Sequence, residues 1–170
     1  MKLEQTHLTT YQDLLVTRND IHARQLNDGS YFLKREPVTD QLLINHLAGR
    51  VTIGLYGLDI GSYAKWAVLD ADSENGLELL QQAHHQLAEK ELPSHLEQSR
   101  RGGHLWLFLE APIPAAAIRK LVQTAVPDLQ GLELYPKQDR LDQRRQVGSL
   151  IKGPLGIHRK SGNRYPFWTL

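Results

Sequence analysis

Between residues 65 and 135 the hydrophobic pattern switches between period two and the helical period in an order that few folds satisfy. Trp66-Ala67-Val68-Leu69-Asp70-Ala71 alternates as a strand. Leu77, Leu80, Ala83 and Leu87 then recur at helical spacing across 74–91, with Ser73 as the expected cap and Pro93 beyond the end. His95-Leu96-Glu97-Gln98-Ser99 reads as a short strand, Gly102-Gly103 as a turn, and His104 to Leu109 as a third strand. Pro112 and Pro114 open a second helix over 115–126, with Ile118, Leu121, Val122 and Ala125 on one face. Leu132-Glu133-Leu134-Tyr135 is the last strand. The order β-α-β-β-α-β is that of the ferredoxin-like or RRM-like unit, whose sheet order is 4-1-3-2 with strands 1 and 3 central and antiparallel.

Upstream the pattern is weaker. Residues 39–48 read as a helix capped by Thr39 or Asp40 and stopped by Gly49, and 51–55 as a strand.

Strand alternation sorts the side chains of the clearer unit onto two faces. Ala67, Leu69, Ala71, Leu105, Leu107, Leu109, Leu132 and Leu134 suit packing under the two helices. The opposite face receives Asp70, Asp72, His104 and Glu133, with Trp66, Val68, Trp106, Phe108 and Tyr135. The four polar groups belong at one height, because strand 1 ends where strands 3 and 4 begin. Clustered carboxylates repel and take up protons unless a cation neutralises them. An Asp-x-Asp pair at a strand end with a third acid is therefore a hard-cation donor set of the Mg²⁺ or Mn²⁺ type. Beside it, the Gly102-Gly103-His104 turn allows close approach of a polyphosphate, with His104 able to donate.

Charge supplies a second constraint. Residues 135–170 carry eight Lys/Arg against two Asp, a net of +6, in a chain whose total is +1. Within it, Leu150 to Gly162 combines glycines with Lys152, His158, Arg159 and Lys160, a composition that neutralises triphosphate or template backbone. A solvated basic hairpin explains the same stretch equally well. The Gly-Lys-Ser/Thr order of a Walker A loop is absent. There is no cysteine, which excludes a disulfide scaffold and a thiolate zinc site. No apolar run has the length of a membrane span, and the N-terminus lacks a signal-peptide core, so a soluble cytoplasmic protein is the expectation.

Four ordered stretches carry a resemblance: Val68-Leu69-Asp70-Ala71-Asp72; Glu97 through Trp106; Glu133-Leu134-Tyr135-Pro136-Lys137-Gln138; and Leu155 through Gly162. Together they resemble the motif series of the archaeo-eukaryotic primase superfamily, most closely the CRISPR-associated primase-polymerases and the primases of TOTE conflict systems. Arg18 to Arg24, and His46-Leu47-Ala48-Gly49 before Thr52 to Tyr56, are similar to the same branches. The resemblance implies an α+β primase-polymerase core forming one catalytic domain over 1–170. Its parts would be an N-terminal α/β unit (1–62), an RRM-like unit with an antiparallel sheet (63–136) and a basic phosphate- and template-binding segment (137–170). It implies a DNA-directed nucleotidyltransferase, using two divalent ions (Mg²⁺ or Mn²⁺) to join NTPs or dNTPs on a single-stranded DNA template with a primer. Asp70, Asp72 and Glu133 would be the catalytic metal-binding acids, with Asp139 as a fallback for the third. Ser99, Arg101, Gly103, His104, Lys137, Lys152, His158, Arg159 and Lys160 would contact the nucleotide. Accessory domains or CRISPR and mobile-element proteins are implied as partners, and no membrane.

Three competing readings use the same topology. A non-catalytic RRM-like nucleic-acid-binding module would expose Trp106, Phe108 and Tyr135 on its sheet. A rolling-circle nuclease would need a second His on the strand that reads His104-Leu105-Trp106. A nucleotide cyclase would share the acids but have no use for a template-binding basic tail. Arg18, Asp20, His22 and Arg24 fit either a nucleotide contact or a structural ion pair, and Phe167 and Trp168 are expected to close the core in a last strand.

Overall fold

In the computed structural model the chain is described over residues 4–144 and 146–168. Four helices and nine strands follow in the order α1 (Gln5–Leu15), β1 (His22–Gln25), β2 (Tyr31–Lys34), α2 (Asp40–Leu47), β3 (Ile53–Tyr56), β4 (Tyr63–Ala71), α3 (Gly76–Ala88), β5 (His95–Gln98), β6 (Gly103–Pro114), α4 (Ala115–Ala125), β7 (Glu133–Tyr135), β8 (Leu150–Lys152) and β9 (Phe167–Trp168). The strands form two sheets. The first has the order β2-β1-β3-β8 and the second β7-β4-β6-β5-β9, with antiparallel pairing throughout. The second sheet is the expected 4-1-3-2 arrangement with one further strand on its edge. The fold is thus mixed α+β with antiparallel sheets.

Both faces of the second sheet are covered. Beneath one, Ala67, Leu69, Ala71, Leu105, Leu107 and Leu134 pack with Leu80, Ala83 and Leu87 of α3 and Ile118 and Val122 of α4. On the other, Trp66, Val68 and Trp106 pack with Leu8, Tyr11 and Leu15 of α1, Leu43 of α2, and Ile53, Leu55 and Ile151 of the first sheet. Trp66 and Trp106 are fully buried, their rings edge-to-face with centroids 5.3 Å apart. The Trp66 indole N–H is satisfied by the Leu15 carbonyl at the end of α1, at 2.9 Å. An indole burying its N–H needs such a partner, and this one fixes where α1 ends on the sheet.

Several details differ from the expectations. Ser73 does not cap α3: that helix starts at Gly76 without a side-chain cap, and the Ser73 hydroxyl bonds Asn75 Oδ1 at 2.9 Å. Pro112 lies in β6, not in the helix, which Pro114 precedes as N-cap. Pairing of β6 with β5 ends at Trp106, so one side of β6 is without a partner strand around Pro112, where a missing N–H is tolerated. Leu132 falls just outside β7. Phe167 and Trp168 do form a last strand, but it is an edge strand and Trp168 is 40% exposed, so Trp168 does not close the core. Thr39 caps α2 through Leu42 N–H at 3.2 Å, and Gly49 takes the left-handed backbone (φ +76°) that ends it.

Candidate active site

The carboxyl end of β4 sets the site. Asp70 is directly opposite His104 on β6 and directly opposite Glu133 on β7. Residues paired across neighbouring strands point to the same side of a sheet, so the three project together. Asp72 follows two residues later, just past the strand end. The close approach of the neighbouring turn depends on its glycines: a Cβ on Gly103 would come within 2.9 Å of the Glu97 carbonyl oxygen.

In front of this corner is a cavity of about 450 Å³. It is lined from both sheets: by Asp70, Asp72, Ser99, Arg100, Arg101, His104 and Tyr135 of the second sheet and its turns; by Gln25, Asp28, Gly29 and Tyr31 around the β1–β2 turn; and by Leu150, Ile151, Lys152, His158, Lys160 and Tyr165. Of the twelve residues singled out from sequence, Asp70, Asp72, Ser99, Arg101, His104, Lys152, His158 and Lys160 are therefore brought together. Gly103 lies behind His104 in the strand. Glu133 and Lys137 are exposed beside Tyr135, bonded to each other at 2.8 Å, with Lys137 Nζ 4.8 Å from the Tyr135 ring centre. Arg159 does not line the cavity; its guanidinium donates to the Gly49 carbonyl at 3.2 Å. Asp139 does not line it either, and pairs with Arg119 of α4 at 2.7 Å, on the helix side of the sheet.

The charges are unevenly compensated. Burial, with a contribution from Glu133, holds the Asp70 carboxyl above the usual carboxylate range despite the opposing pull of His104. The nearest base is His104 Nε2 at 3.7 Å, beyond hydrogen-bond distance. Asp72 is engaged by both Arg101 Nε at 2.6 Å and Arg101 Nη2. The Lys137 hydrogen bond draws the Glu133 carboxyl below its usual value. On the opposite wall, His158 Nδ1 accepts the Ser161 N–H at 3.3 Å, and burial, Lys152 and Arg100 lower the ring's pKa. A neutral ring accepting at Nδ1 carries its proton on Nε2.

A residue that sequence reasoning passed over lies behind the site. Glu97 is completely buried and accepts from His104 Nδ1 at 2.9 Å, Trp106 Nε1 at 3.0 Å and Lys152 Nζ at 3.3 Å. Burial opposes its charge most strongly, yet Lys152, His104 and Trp106 outweigh that and hold it below the normal value. Its signal in the sequence was the same alternation used for Asp70: a charged residue at an inward position of a strand, opposite His104. Gln25, Asp28 and Tyr31 had no comparable signal. The Lys152 ammonium is accordingly turned inward, onto Glu97 and the Gly153 carbonyl at 3.0 Å.

The sequence of residues 11–169 matches the model of the archaeo-eukaryotic primase domain of TOTE conflict systems. The chain belongs to that family. Among curated proteins, none matches this primase domain. Among solved structures it is similar to the polymerase domain of Mycobacterium tuberculosis ligase D, in complex with DNA, at 15% identity and a TM-score of 0.41, over 95% of this chain and 74% of that one. The assignment rests on the sequence match. At the level of the family, the function is of nucleotidyltransferase type, and primase-polymerases generally use divalent metals. Whether this primase domain's residues suit such ions is a question of donor chemistry. Asp70 is a partly buried carboxylate with no cation in bonding distance, Asp72 stands beside it, and Glu133 is on the rim; hard oxygen donors of this kind fit a divalent ion. Asp72 and Glu133 are each held by a basic side chain, and among the described residues no three His, Asp or Glu are gathered closely enough to hold an ion as they stand. Among the described residues, no helix is long and apolar enough to cross a membrane.

Proposed function

We propose that this chain is a DNA-directed nucleotidyltransferase that joins NTPs or dNTPs on a single-stranded template, by extension of a primer, by priming, or by both. The observation that carries this reading is the cross-strand register of Asp70 with His104 and Glu133 at the mouth of a cavity whose far wall is basic. A nucleoside triphosphate presents what such a cavity requires: a polyanion for His158, Lys160, Arg100 and His104, and a reacting phosphorus that must sit near the acids. Ser99 and the neighbouring backbone would hold the phosphates at the β5–β6 turn. The His158 Nε2–H donates to a phosphate oxygen, while Asp28 and Tyr31 bound the side facing the first sheet.

Asp70 and Asp72, with Glu133, would hold the divalent ions, which supply activation of the attacking hydroxyl and neutralisation of the leaving pyrophosphate. For Asp72 and Glu133 to take part, Arg101 and Lys137 must turn away from them, and both side chains are then free to meet phosphate. Of the aromatics that a purely binding RRM-like module would expose, Trp106 is buried under α1 and the first sheet, and Phe108 and Tyr135 are half-buried against the same core.

The test is a gel assay with labelled nucleotides, a single-stranded template, and Mg²⁺ or Mn²⁺, with and without primer. Asp70→Ala combined with Asp72→Ala should abolish incorporation while the circular dichroism spectrum and thermal midpoint persist. Incorporation retained by the double variant rules out the mechanism.

A further inference from the structure

Among the described residues, Glu97 is positioned as no other acid is. It lies in β5, next to the β5–β6 turn that lines the cavity, but contributes nothing to the cavity wall and is closed to solvent. Its two carboxylate oxygens receive three donors from three directions. Oε2 accepts from His104 Nδ1 and Trp106 Nε1, and Oε1 from Lys152 Nζ. Lys152 belongs to β8 of the first sheet, whereas Glu97, His104 and Trp106 belong to the second. One buried carboxylate thus ties the two sheets together immediately behind the corner where Asp70 and His104 face each other.

The consequence for His104 is geometric. A carboxylate bonded to Nδ1 fixes the plane of the ring and the position of its proton, and leaves Nε2 as the outward atom. That outward atom is the one 3.7 Å from Asp70 Oδ1, at the cavity. Trp106 packs edge-on against the same imidazole, with ring centres 6.3 Å apart, and is itself held by Glu97. Rotation of His104 would break its bond to Glu97 and leave a buried carboxylate oxygen short of a donor, which is costly.

We propose that Glu97 is a positioning residue for nucleotide binding: it sets the Nδ1–H tautomer of His104, so that Nε2 is presented to the triphosphate, and links that setting to the first sheet through Lys152. This rests on the reading of the cavity as a nucleoside triphosphate site. The effect belongs to substrate binding more than to turnover, because Glu97 itself reaches no cavity atom.

Removing the acceptor at position 97 provides a sharp probe. Glutamine does not remove it, because His104 and Trp106 share one carboxylate oxygen: an amide oxygen in that place still accepts from both, and its NH₂ takes the place of the oxygen that faces Lys152. Methionine leaves His104 Nδ1 without an acceptor. Glu97→Met alone also strands the buried Lys152 ammonium and risks unfolding. The informative variant is therefore Glu97→Met with Lys152→Met, which removes both buried charges and the acceptor, compared with Glu97→Gln with Lys152→Met, which removes the same charges and keeps an acceptor for His104 Nδ1.

Two readouts are taken on the full chain. Side-chain ¹⁵N–¹H correlation spectra, with His104 assigned by His104→Gln, report the tautomer without any nucleotide. Steady-state incorporation reports KM and kcat for the nucleoside triphosphate. The expected result is an Nδ1-protonated His104 in the wild type and in Glu97→Gln with Lys152→Met, and an Nε2-protonated ring in Glu97→Met with Lys152→Met. The methionine pair should also show a KM about tenfold or more above that of the glutamine–methionine pair, the range typical when the carboxylate partner of a metal-bound histidine is lost, with a smaller change in kcat. A tautomer unchanged in the methionine pair, or a KM equal to that of the glutamine–methionine pair, overturns the proposal. A wild-type protein that binds no nucleoside triphosphate overturns the reading of the cavity and the nucleotide role with it. The spectra still decide separately whether Glu97 sets His104.

Discussion

His46, in α2, has no exposed surface. Its Nδ1 accepts the Ile53 N–H at 3.3 Å and its Nε2 donates to the Pro154 carbonyl at 3.0 Å, an arrangement available only to the neutral ring. Burial is the main reason its pKa falls from 6.5 to about 4. The folded protein therefore binds fewer protons at this residue than the unfolded chain between those values, and stability must fall as the pH falls through that window. From pH 7 to pH 5 the loss due to His46 is about 2 kcal/mol, at ~1.4 kcal/mol for each pH unit below the unfolded pKa. Urea denaturation at the two pH values checks this. His46→Gln should be less stable at pH 7 but lose much less on acidification, and an undiminished loss would assign the effect to other histidines. At this scale the register of Asp70 with His104 and Glu133 was legible, because alternation sorts the side chains of paired strands onto one face, and a polar residue takes a covered position there only when something requires it. Glu97 obeys the same rule and was missed because a glutamate beside a turn reads as solvated until the second sheet is known to cover it.

Among the elements, those with local patterns were readable and those made by distant pairing were not. α3, α4 and β4 to β7 repeat their apolar period within a few residues of sequence. β1, β2 and β8 have only four, four and three residues and no surrounding pattern to frame them, whereas β5 and β7 are equally short but sit between the helices and turns of the β-α-β-β-α-β order, and β9 was expected as a last strand at Phe167 and Trp168. β8 is a strand because Ile151 sits opposite Leu55, almost a hundred residues earlier, and nothing local announces that. The start of β4 was also hidden, since an irregularity between Ala64 and Trp66 breaks the alternation there. α1 has a similar history: Leu8, Tyr11 and Leu15 form one buried stripe, but its worth depends on the tryptophans beneath. Leu15→Ala should therefore cost about 2–4 kcal/mol, the usual range for a buried leucine that leaves a cavity. Alanine keeps the backbone carbonyl that holds the Trp66 indole, but the lost side chain uncovers the rings beneath, so intrinsic tryptophan emission should shift to longer wavelength. Denaturant titration and fluorescence measure the two effects. A stability loss below about 0.5 kcal/mol would mean that α1 contributes little to covering the second sheet.

For the whole molecule, the basic surplus of residues 135–170 needs to be divided by where each charge points. Lys152 is buried on Glu97, Arg164 donates to the Leu47 and Leu155 carbonyls, Arg159 to that of Gly49, and Lys137 to Glu133. Arg145 lies outside the described residues. Arg140 and Arg144 are exposed in the loop between β7 and β8, and Lys160 is exposed while also lining the cavity. A count of charges thus overstates what a phosphate backbone would meet: Lys160 lines the cavity, whereas Arg140 and Arg144 are exposed in the β7–β8 loop. Each Lys or Arg that neutralises a phosphate of a single strand contributes about 0.7 to the slope of log affinity against log salt. If the template follows this loop, Arg140→Gln with Arg144→Gln should flatten the slope for a labelled single-stranded oligonucleotide by about 1.4. The same variant should leave the KM for nucleotide at saturating template near the wild-type value. Lys160→Gln should do the reverse, raising the nucleotide KM with little change in the salt slope. Fluorescence anisotropy from 50 to 200 mM salt distinguishes the two. An unaltered slope in the double arginine variant would move the template path away from the β7–β8 loop, to whichever remaining basic residues prove to carry the salt dependence.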